Sequence, residues 1–170
     1  DQNKKIEVTV IAGTLFDTES LPPAPNSWAN NPENGVFIWT LEMEPGAQWI
    51  LPAHGPDLSR TLYYFQGKDI ELENKKVLPN HLVEMVSDQS LRSTNGPEIS
   101  HFLLLQGKPI NEPIAQYGPF VMNHQSEIQE TMREYQLTQF GGWPWPKPDH
   151  THAHTSGRFA KYANGKIETR

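Results

Sequence analysis

Short stretches of alternating apolar and polar residues, separated by turn residues, constrain the fold of this chain most. The clearest stretch lies at residues 36–44, where Phe37, Trp39, Leu41 and Met43 would share one face of a strand. Fifteen prolines and twelve glycines in 170 residues argue against a mostly helical protein. Many short strands with frequent turns predict an all-β fold, either a sandwich or a closed barrel.

Other stretches of the chain give similar but shorter strand patterns. They predict strands at residues 6–13, 48–51, 60–66, 69–73, 82–86, 91–94 and 99–106. The last of these is almost entirely apolar, so we expect it to be a buried central strand. Residues 21–35 are rich in proline and asparagine and predict a loop.

Residues 110–142 combine a rigid loop with the one predicted helix. Pro113, Gly118 and Pro119 punctuate the first half and forbid a long helix there. In the second half, Ser126 followed by Gln129 fits a capping box. The helix would present three apolar residues on one face, namely Ile128, Met132 and Tyr135. Two glycines at 141 and 142 are predicted to end it.

Charge and composition exclude several classes of function. The net charge is −6 with histidine neutral, which argues against non-specific nucleic-acid binding because that needs a basic surface. The absence of cysteine excludes disulfides, thiolate zinc sites and a cysteine nucleophile. No apolar run is long enough to span a membrane. We therefore expect a cytoplasmic protein without nucleic-acid or membrane partners.

Four segments of the chain resemble one known family. They are NEPIAQYGPFVMNHQSEI at 111–128, QFGGWPWP at 139–146, LPAHGPDLSRTLYYFQG at 51–67 and VTVIAG at 8–13. Together they are similar to the C-terminal region of the pirin family, whose members are two-domain proteins of the cupin superfamily. The resemblance implies a cupin-type jelly-roll β-barrel, or double-stranded β-helix, with one C-terminal α-helix and an extended tail.

The same resemblance implies a division of the chain into a domain and a tail. Residues 1–142 would be the C-terminal pirin-like cupin domain, and residues 143–170 an extended tail rich in Trp, Pro and His. We expect Trp143 and Trp145 to dock on a protein surface, because the tail cannot form a core. The chain begins at Asp1 rather than Met, and we expect the N-terminal metal-binding domain to be absent from it.

The metal motif of a cupin is recognisable in its spacing but not in its ligands. A cupin motif places His-x-His five residues after a glycine, followed by a glutamate that lies six residues before a second glycine. Here Gly46 and Gly67 keep that frame, but Pro52 replaces the first histidine and Arg60 lies at or next to the glutamate position. Only His54 remains, and useful metal sites need three or more protein ligands. We therefore predict no metal and no cofactor in this chain.

Two interpretations of His54 remain open. It is either a loop histidine satisfied by water or backbone, or a vestigial ligand in a small anion-binding pocket. The candidate pocket contains His54, Arg60 and Tyr63, with Tyr64 as a further possibility. No catalytic residue is predicted. In pirins the iron ligands belong to the N-terminal domain, so iron is expected only in a longer parent protein.

The other histidines divide into two groups. His150, His152 and His154 alternate, so an extended chain would align them as an adventitious site for Ni, Cu or Zn. The alternative is a solvated tail, because their neutral neighbours offer no partner that would orient the rings. We expect His101 to be partly buried and to donate to a carbonyl oxygen. His81 and His124 are predicted at surface or turn positions, and His124 just before the helix.

Two functional hypotheses follow. In the first, the chain is the metal-free half of a pirin-like bicupin, and it supports or contacts the iron-binding domain, other partners or a second copy of itself. In the second, it is a small-molecule enzyme of the cupin class, similar to quercetin 2,3-dioxygenase, with activity mainly in the full-length parent. The first predicts an exposed apolar surface where a partner would sit.

Overall fold

The computed structural model of the protein describes residues 4–149 and 151–169. The chain packs into two compact units that divide after Ile110. The predicted helix therefore belongs to the second unit, together with the segment from 143 onwards. The two units are defined by how densely each packs within itself, which does not test where a domain ends. The assignment of residues 1–142 to one domain therefore stays a prediction.

The first unit consists of strands and two short 3-10 turns. The turns cover Trp28–Asn30 and Pro32–Asn34, within the predicted loop. The strands are β1 Ile6–Ala12, β2 Thr14–Leu15, β3 Thr18–Glu19, β4 Phe37–Met43, β5 Gln48–Leu51, β6 Ser59–Gln66, β7 Ile70–Leu72, β8 Lys75–Val77, β9 His81–Met85, β10 Leu91–Asn95 and β11 Ser100–Gly107. All the strands predicted up to residue 106 are confirmed within one or two residues at their ends.

Two antiparallel sheets form the body of this unit. The five-stranded sheet has the order β1-β4-β11-β6-β9, and the four-stranded sheet has the order β5-β10-β7-β8. Strand β11 lies at the centre of the larger sheet, as its apolar sequence predicts. From β4 to β11, all connections except that of β7 to β8 cross from one of these sheets to the other. The structure confirms the all-β, jelly-roll class.

The core lies between these two sheets. The alternation of β4 is confirmed in full, because Phe37, Trp39, Leu41 and Met43 are all buried. From the facing sheet, Leu51, Ile70 and Leu72 join the same cluster. Two aromatic pairs stack within it: Phe37 with Trp39 at 4.9 Å between ring centroids, and Tyr64 with Phe102 at 4.7 Å.

The second unit contains a hairpin, one α-helix and a second hairpin. Strands β12 Ala115–Tyr117 and β13 Phe120–Met122 pair across Gly118 and Pro119. Helix α1 covers Gln125–Thr138 and packs on both strands of that hairpin. Strands β14 Phe159–Lys161 and β15 Ile167–Thr169 form the last hairpin. The loop predicted before the helix thus contains a short hairpin, and the predicted tail contains a second one.

The predicted ends of the helix also need correction. The helix begins after His124, whose backbone N–H donates to the Glu127 carboxylate at 2.7 Å. Ser126 lies inside the first turn, so the Ser126–Gln129 capping box is wrong. The helix ends at Thr138, where Gln139 and Phe140 take left-handed conformations before the two glycines are reached.

The apolar face of the helix is only partly as predicted. Ile128 is 1% exposed and Thr131 is also buried, whereas Met132 is half-buried. Tyr135 remains 46% exposed, with its ring against Phe120 and Phe140. No helix in the described part of the chain is long and apolar enough to cross a membrane.

Candidate functional site

The space between the two sheets is almost completely filled. A gap in the middle of the sandwich, lined by residues of both inner faces that include Leu41, Leu62, Leu72 and Phe102, has a volume of about 20 Å³. A gap of this size holds about one water molecule. The middle of this jelly roll is therefore a packed core and leaves no room for a substrate or a cofactor.

One end of this interior is polar and is organised by Arg60. Strand β6 alternates, so Arg60 points to the same inner face as Leu62 and Tyr64, and it is 3% exposed. Its direct neighbour across the sheet is Gln106 of β11. The Arg60 Nε donates to Gln106 Oε1 at 2.5 Å, and its Nη1 donates to the Pro52 carbonyl oxygen at 2.9 Å.

Among the residues that the structure describes, no carboxylate pairs with the guanidinium of Arg60. Burial is the cause that lowers the pKa of Arg60, and no carboxylate offsets it. Among the described residues, two buried side-chain donors lack a hydrogen-bond partner: Arg60 Nη2 and Trp39 Nε1. An arginine remains charged even when buried, so the interior holds a cation with one nitrogen unused.

Gln106 of β11 connects Arg60 of β6 with the segment that precedes β4. It uses its amide nitrogen to donate to the Gly35 carbonyl oxygen at 3.0 Å, while its oxygen accepts from Arg60. Sequence reasoning missed Gln106, although a signal was present. Residues 102, 104 and 106 share one face of β11, so a glutamine in that series is an inward polar residue in need of a partner.

His54 lies outside this polar end and is largely exposed. Its Nδ1 accepts from the Gly55 backbone N–H at 2.8 Å, and its own backbone N–H donates to the Ser87 carbonyl oxygen at 2.7 Å. Its ring stands edge-on to Phe37 at 4.7 Å. Partial burial first, and the positive charge of Arg60 second, lower the pKa of His54. These contacts fit the interpretation of His54 as a loop histidine whose hydrogen bonds are made with the backbone.

The candidate pocket of His54, Arg60 and Tyr63 does not form one cavity. His54 lines an open groove with residues of β1, of the β2–β3 hairpin and of the 3-10 turns. Arg60 lines a different opening, described below. Tyr63 follows Leu62 on β6 and therefore points to the outer face, where it is 38% exposed. Tyr64 is buried, and its hydroxyl group pairs with Ser100 Oγ at 3.1 Å.

The cleft that Arg60 lines lies where the edges of the two sheets diverge. It opens between β8 of the smaller sheet and β9 of the larger sheet, and we name it the β8–β9 cleft. It has a volume of about 580 Å³, within the usual range for small-molecule sites. Its walls include six apolar residues, namely Leu72, Val77, Val83, Met85, Val86 and Leu91.

The cupin metal position does not fit a metal ion in this chain. Pro52 offers only its carbonyl oxygen, which Arg60 already occupies, and Arg60 itself repels a divalent cation. In the described part of the chain, no three His, Cys, Asp or Glu side chains lie close enough together to hold a metal. The position therefore lacks the metal ligands of the cupin motif, and the Arg60 side chain occupies the space beside Pro52.

The remaining histidines are scattered. His101 is half-buried, and its Nδ1 lies 3.7 Å from the Glu42 carboxylate, so the expected carbonyl partner is wrong. His81 Nδ1 lies 3.1 Å from the Leu78 and Pro79 carbonyl oxygens. His124 directly precedes the helix, as predicted.

In the tail, the ring of His152 packs on Phe159 at 4.6 Å, and His154 begins a 3-10 turn. His150 lies outside the described residues, so the predicted row of three histidines stays a prediction. Trp143 is 58% exposed, and its Nε1 donates to the Lys147 carbonyl oxygen. The ring of Trp145 lies under the Lys161 ammonium group, at 5.8 Å. These contacts are local to the second unit.

Comparison with known proteins places this fold in a family. A Pseudomonas aeruginosa protein with the provisional name quercetin 2,3-dioxygenase is 33% identical over 135 residues, covering 76% of this chain and 45% of that protein. Human pirin is 30% identical over 106 residues, covering 59% of this chain and 36% of pirin. The chain thus spans about half the length, or less, of the curated relatives it matches.

A solved structure supports the fold independently of these sequences. The crystal structure of quercetin 2,3-dioxygenase from Acinetobacter baumannii superimposes with a TM-score of 0.67 at 23% identity, over 84% of this chain and 46% of that one. At this identity the likeness shows the cupin fold alone. Residues 38–141 match the family described as the pirin C-terminal cupin domain. The chain therefore belongs to the pirin family, through the cupin domain that forms the C-terminal part of its members.

Proposed function

We propose that this chain is a metal-free cupin domain that supports and contacts the iron-binding N-terminal domain of a pirin-type protein. The observation that carries the proposal is the replacement of the cupin metal position by the buried Arg60, held by Gln106 and the Pro52 carbonyl. A barrel that is filled by its own side chains and charged at this position is suited to a scaffold role.

The outer face of the five-stranded sheet supports the contact role. On strands that face water on one side, the outward positions are normally polar. Here six outward positions are apolar and form what we name the outer apolar patch: Ile38, Tyr63, Phe65, Leu82, Leu103 and Leu105. Phe65 and Leu82 are 52% and 56% exposed. An apolar surface of this kind marks an interaction site.

The strand register shows that the patch is continuous. Leu103 of β11 pairs with Tyr63 of β6, and Tyr63 pairs with Leu82 of β9. In the next row, Leu105 pairs with Ile38 of β4. Directly paired side chains lie close together, so these residues form one surface across four strands. Charged residues, including Glu42 and Glu84, border it, as at many protein interfaces.

The length of the relatives indicates the occupant of the patch. The chain accounts for about half or less of each relative, and the resemblance to pirins assigns the other half to a metal-binding cupin domain. We therefore assign the patch to that N-terminal domain. A homodimer through the same patch is the competing occupant.

A binding experiment distinguishes these occupants. We would mix the chain with the separately expressed N-terminal half of the Pseudomonas aeruginosa relative and measure association by analytical ultracentrifugation. We expect a one-to-one complex that Phe65→Lys and Leu82→Lys abolish. The matched control is Ile50→Lys, at a position 55% exposed on the outer face of the smaller sheet. Self-association of the chain through the patch would contradict the assignment. So would a chain that binds neither the N-terminal half nor a second copy of itself.

The names of the relatives favour a second function for the full-length protein. Relatives and structural neighbours are described as quercetin 2,3-dioxygenases, so the parent would be an iron-dependent oxidoreductase of that kind. Its activity would reside mainly in the N-terminal domain. Turnover of a flavonol by this chain alone, supplied with Fe(II), would overturn the scaffold proposal. We place the protein in the cytoplasm, and cell fractionation with an antibody to the chain tests that placement.

A further inference from the structure

The β8–β9 cleft is lined by a buried positive charge, that of Arg60, which no carboxylate of the described residues pairs with. Arg60 lines this cleft together with apolar residues of both sheets. Arg60 is only 3% exposed, and its Nη2 has no hydrogen-bond partner among the described residues. Leaving a buried charge without a partner is strongly unfavourable, because the charge has lost its water.

The partners that Arg60 does have are both neutral. They are the amide oxygen of Gln106 and the carbonyl oxygen of Pro52, so neither removes the charge. A guanidinium offers its donors in a planar fork that matches a carboxylate in particular. Because Arg60 lines the cleft, a carboxylate bound there would lie beside a guanidinium whose Nη2 has no partner among the described residues.

The two acidic residues of the cleft do not serve this purpose. Glu73 accepts a hydrogen bond from the backbone N–H of Arg92. Glu84 pairs with Thr61 across the sheet, on the outward-facing row of β9. Neither contributes to the pKa of Arg60, which responds to burial. Lys75 lines the cleft as well and adds a second positive charge.

The walls of the cleft indicate what the ligand carries besides its charge. Val77 of β8 and Val83 and Met85 of β9 are half-buried, and they face the cleft from opposite sheets. Burying methylene groups against such walls is favourable because it removes apolar surface from water. An inorganic anion would leave these walls wet, whereas a ligand with an apolar body would cover them.

We propose that the β8–β9 cleft binds a small carboxylate with an apolar body, its carboxylate on Arg60 and its body between Val77, Val83 and Met85. The site is separate from the outer apolar patch, so it does not depend on the proposed contact with an N-terminal domain. It shares Arg60 with the cupin metal position but opens at the edge of the sandwich, between β8 and β9.

Methionine methyl NMR tests this directly, with octanoate as the probe. The chain has four methionines. Met85 lines the cleft, Met43 lies in the core, and Met122 and Met132 lie in the second unit. We expect the Met85 methyl signal to shift saturably with octanoate while those of Met122 and Met132 stay in place. Octanol, which has the same chain without the charge, should bind at least about tenfold more weakly.

Variants then test whether the Arg60 guanidinium is the group that binds the carboxylate. Arg60→Leu should weaken octanoate binding at least about tenfold, since the charge-assisted hydrogen bond is lost. Arg92→Leu, an exposed arginine on β10 outside the cleft, is the matched control and should bind as the wild type does. Arg60→Lys keeps the charge if Arg60→Leu fails to fold, and should retain part of the affinity.

Four results would overturn the proposal. They are a Met85 signal that does not respond to octanoate, equal binding of octanol, equal weakening by Arg92→Leu, and a response to inorganic phosphate as strong as that to octanoate. The comparison of octanoate with octanol uses only the wild-type chain, so it decides the question even if no variant at position 60 folds.

Discussion

At the residue scale, single buried polar groups hold the connections between the two sheets. Asn95, at the end of β10, is 3% exposed. Its Nδ2 donates to three carbonyl oxygens, those of Met43, Glu44 and Glu98, at 2.8–3.0 Å. Its Oδ1 accepts from the Gly96 backbone N–H. One amide thus ties the end of β4 to the turn that carries the chain from β10 to β11.

Replacing that amide group by a carboxylate should be strongly destabilising. Asn95→Asp keeps the shape but removes the donor and places a charge against carbonyl oxygens, so we expect a loss of about 2 kcal/mol or more in the free energy of unfolding. Urea denaturation measures it. Asn30→Asp, at an exposed position, should change stability little. Equal losses in the two variants would show that the Asn95 contacts do not matter.

His54 gives the fold a pH dependence. Partial burial and nearby Arg60 lower its pKa, so at mildly acidic pH the unfolded chain takes up the proton more readily than the folded chain. The contribution to stability is therefore complete above about pH 6.5, the ordinary pKa of histidine, and is lost as the pH falls below it. Protonation of Nδ1 also removes the hydrogen bond from Gly55.

This dependence should disappear when His54 is replaced. We expect His54→Gln to lose less stability than the wild type between pH 7 and mildly acidic pH, as measured by thermal unfolding across that range. His81→Gln, at an exposed position, should keep the wild-type profile. If His54→Gln and the wild type lose stability in parallel, the assigned cause is wrong.

At the scale of elements, the strands were predictable and the helix boundaries were not. Strands with one buried face carry their period in the sequence, and the inward row of β4 is found as predicted. The hairpin β12–β13 was missed because its two three-residue strands are too short to show a period. The hairpin β14–β15 was missed for the same reason.

The helix start shows how competing signals mislead. Ser126 with Gln129 and His124 with Glu127 have the same spacing, and propensity favours serine as the cap. The structure uses the Glu127 carboxylate on the His124 backbone N–H instead. The candidate pocket shows a related difficulty. Period two places Arg60 and Tyr63 on opposite faces of β6, although the cupin motif brings them close together in sequence.

A pair of substitutions tests the corrected cap. Glu127→Ala removes the acceptor of the His124 N–H and an acid at the helix N-terminus, so we expect a loss of about 0.5–1 kcal/mol. Hydrogen exchange at the amides of the first helical turn should accelerate accordingly. Ser126→Ala should be close to neutral. The opposite order of effects would restore the serine cap and contradict the structure.

At the scale of the whole molecule, the chain keeps the cupin scaffold while its interior follows a different chemistry. The frame from Gly46 to Gly67 survives, because those glycines have positive φ angles of 71° and 134°. A Cβ at Gly67 would also lie 2.3 Å from Ser100 Oγ. The backbone therefore requires glycine at these turns, whether or not a metal is bound. What the sequence could not reveal is how completely the interior is filled.

We propose that a buried arginine takes the place of the metal ion in the interior of this domain. The most direct measurement is the iron content of the purified chain after anaerobic incubation with Fe(II) and gel filtration, measured with wild type and with His54→Ala. To remove adventitious binding by the tail, both carry His150→Ala, His152→Ala and His154→Ala. We predict far less than stoichiometric iron, equal in both proteins. Stoichiometric iron in the first protein that is lost in the second would contradict the account.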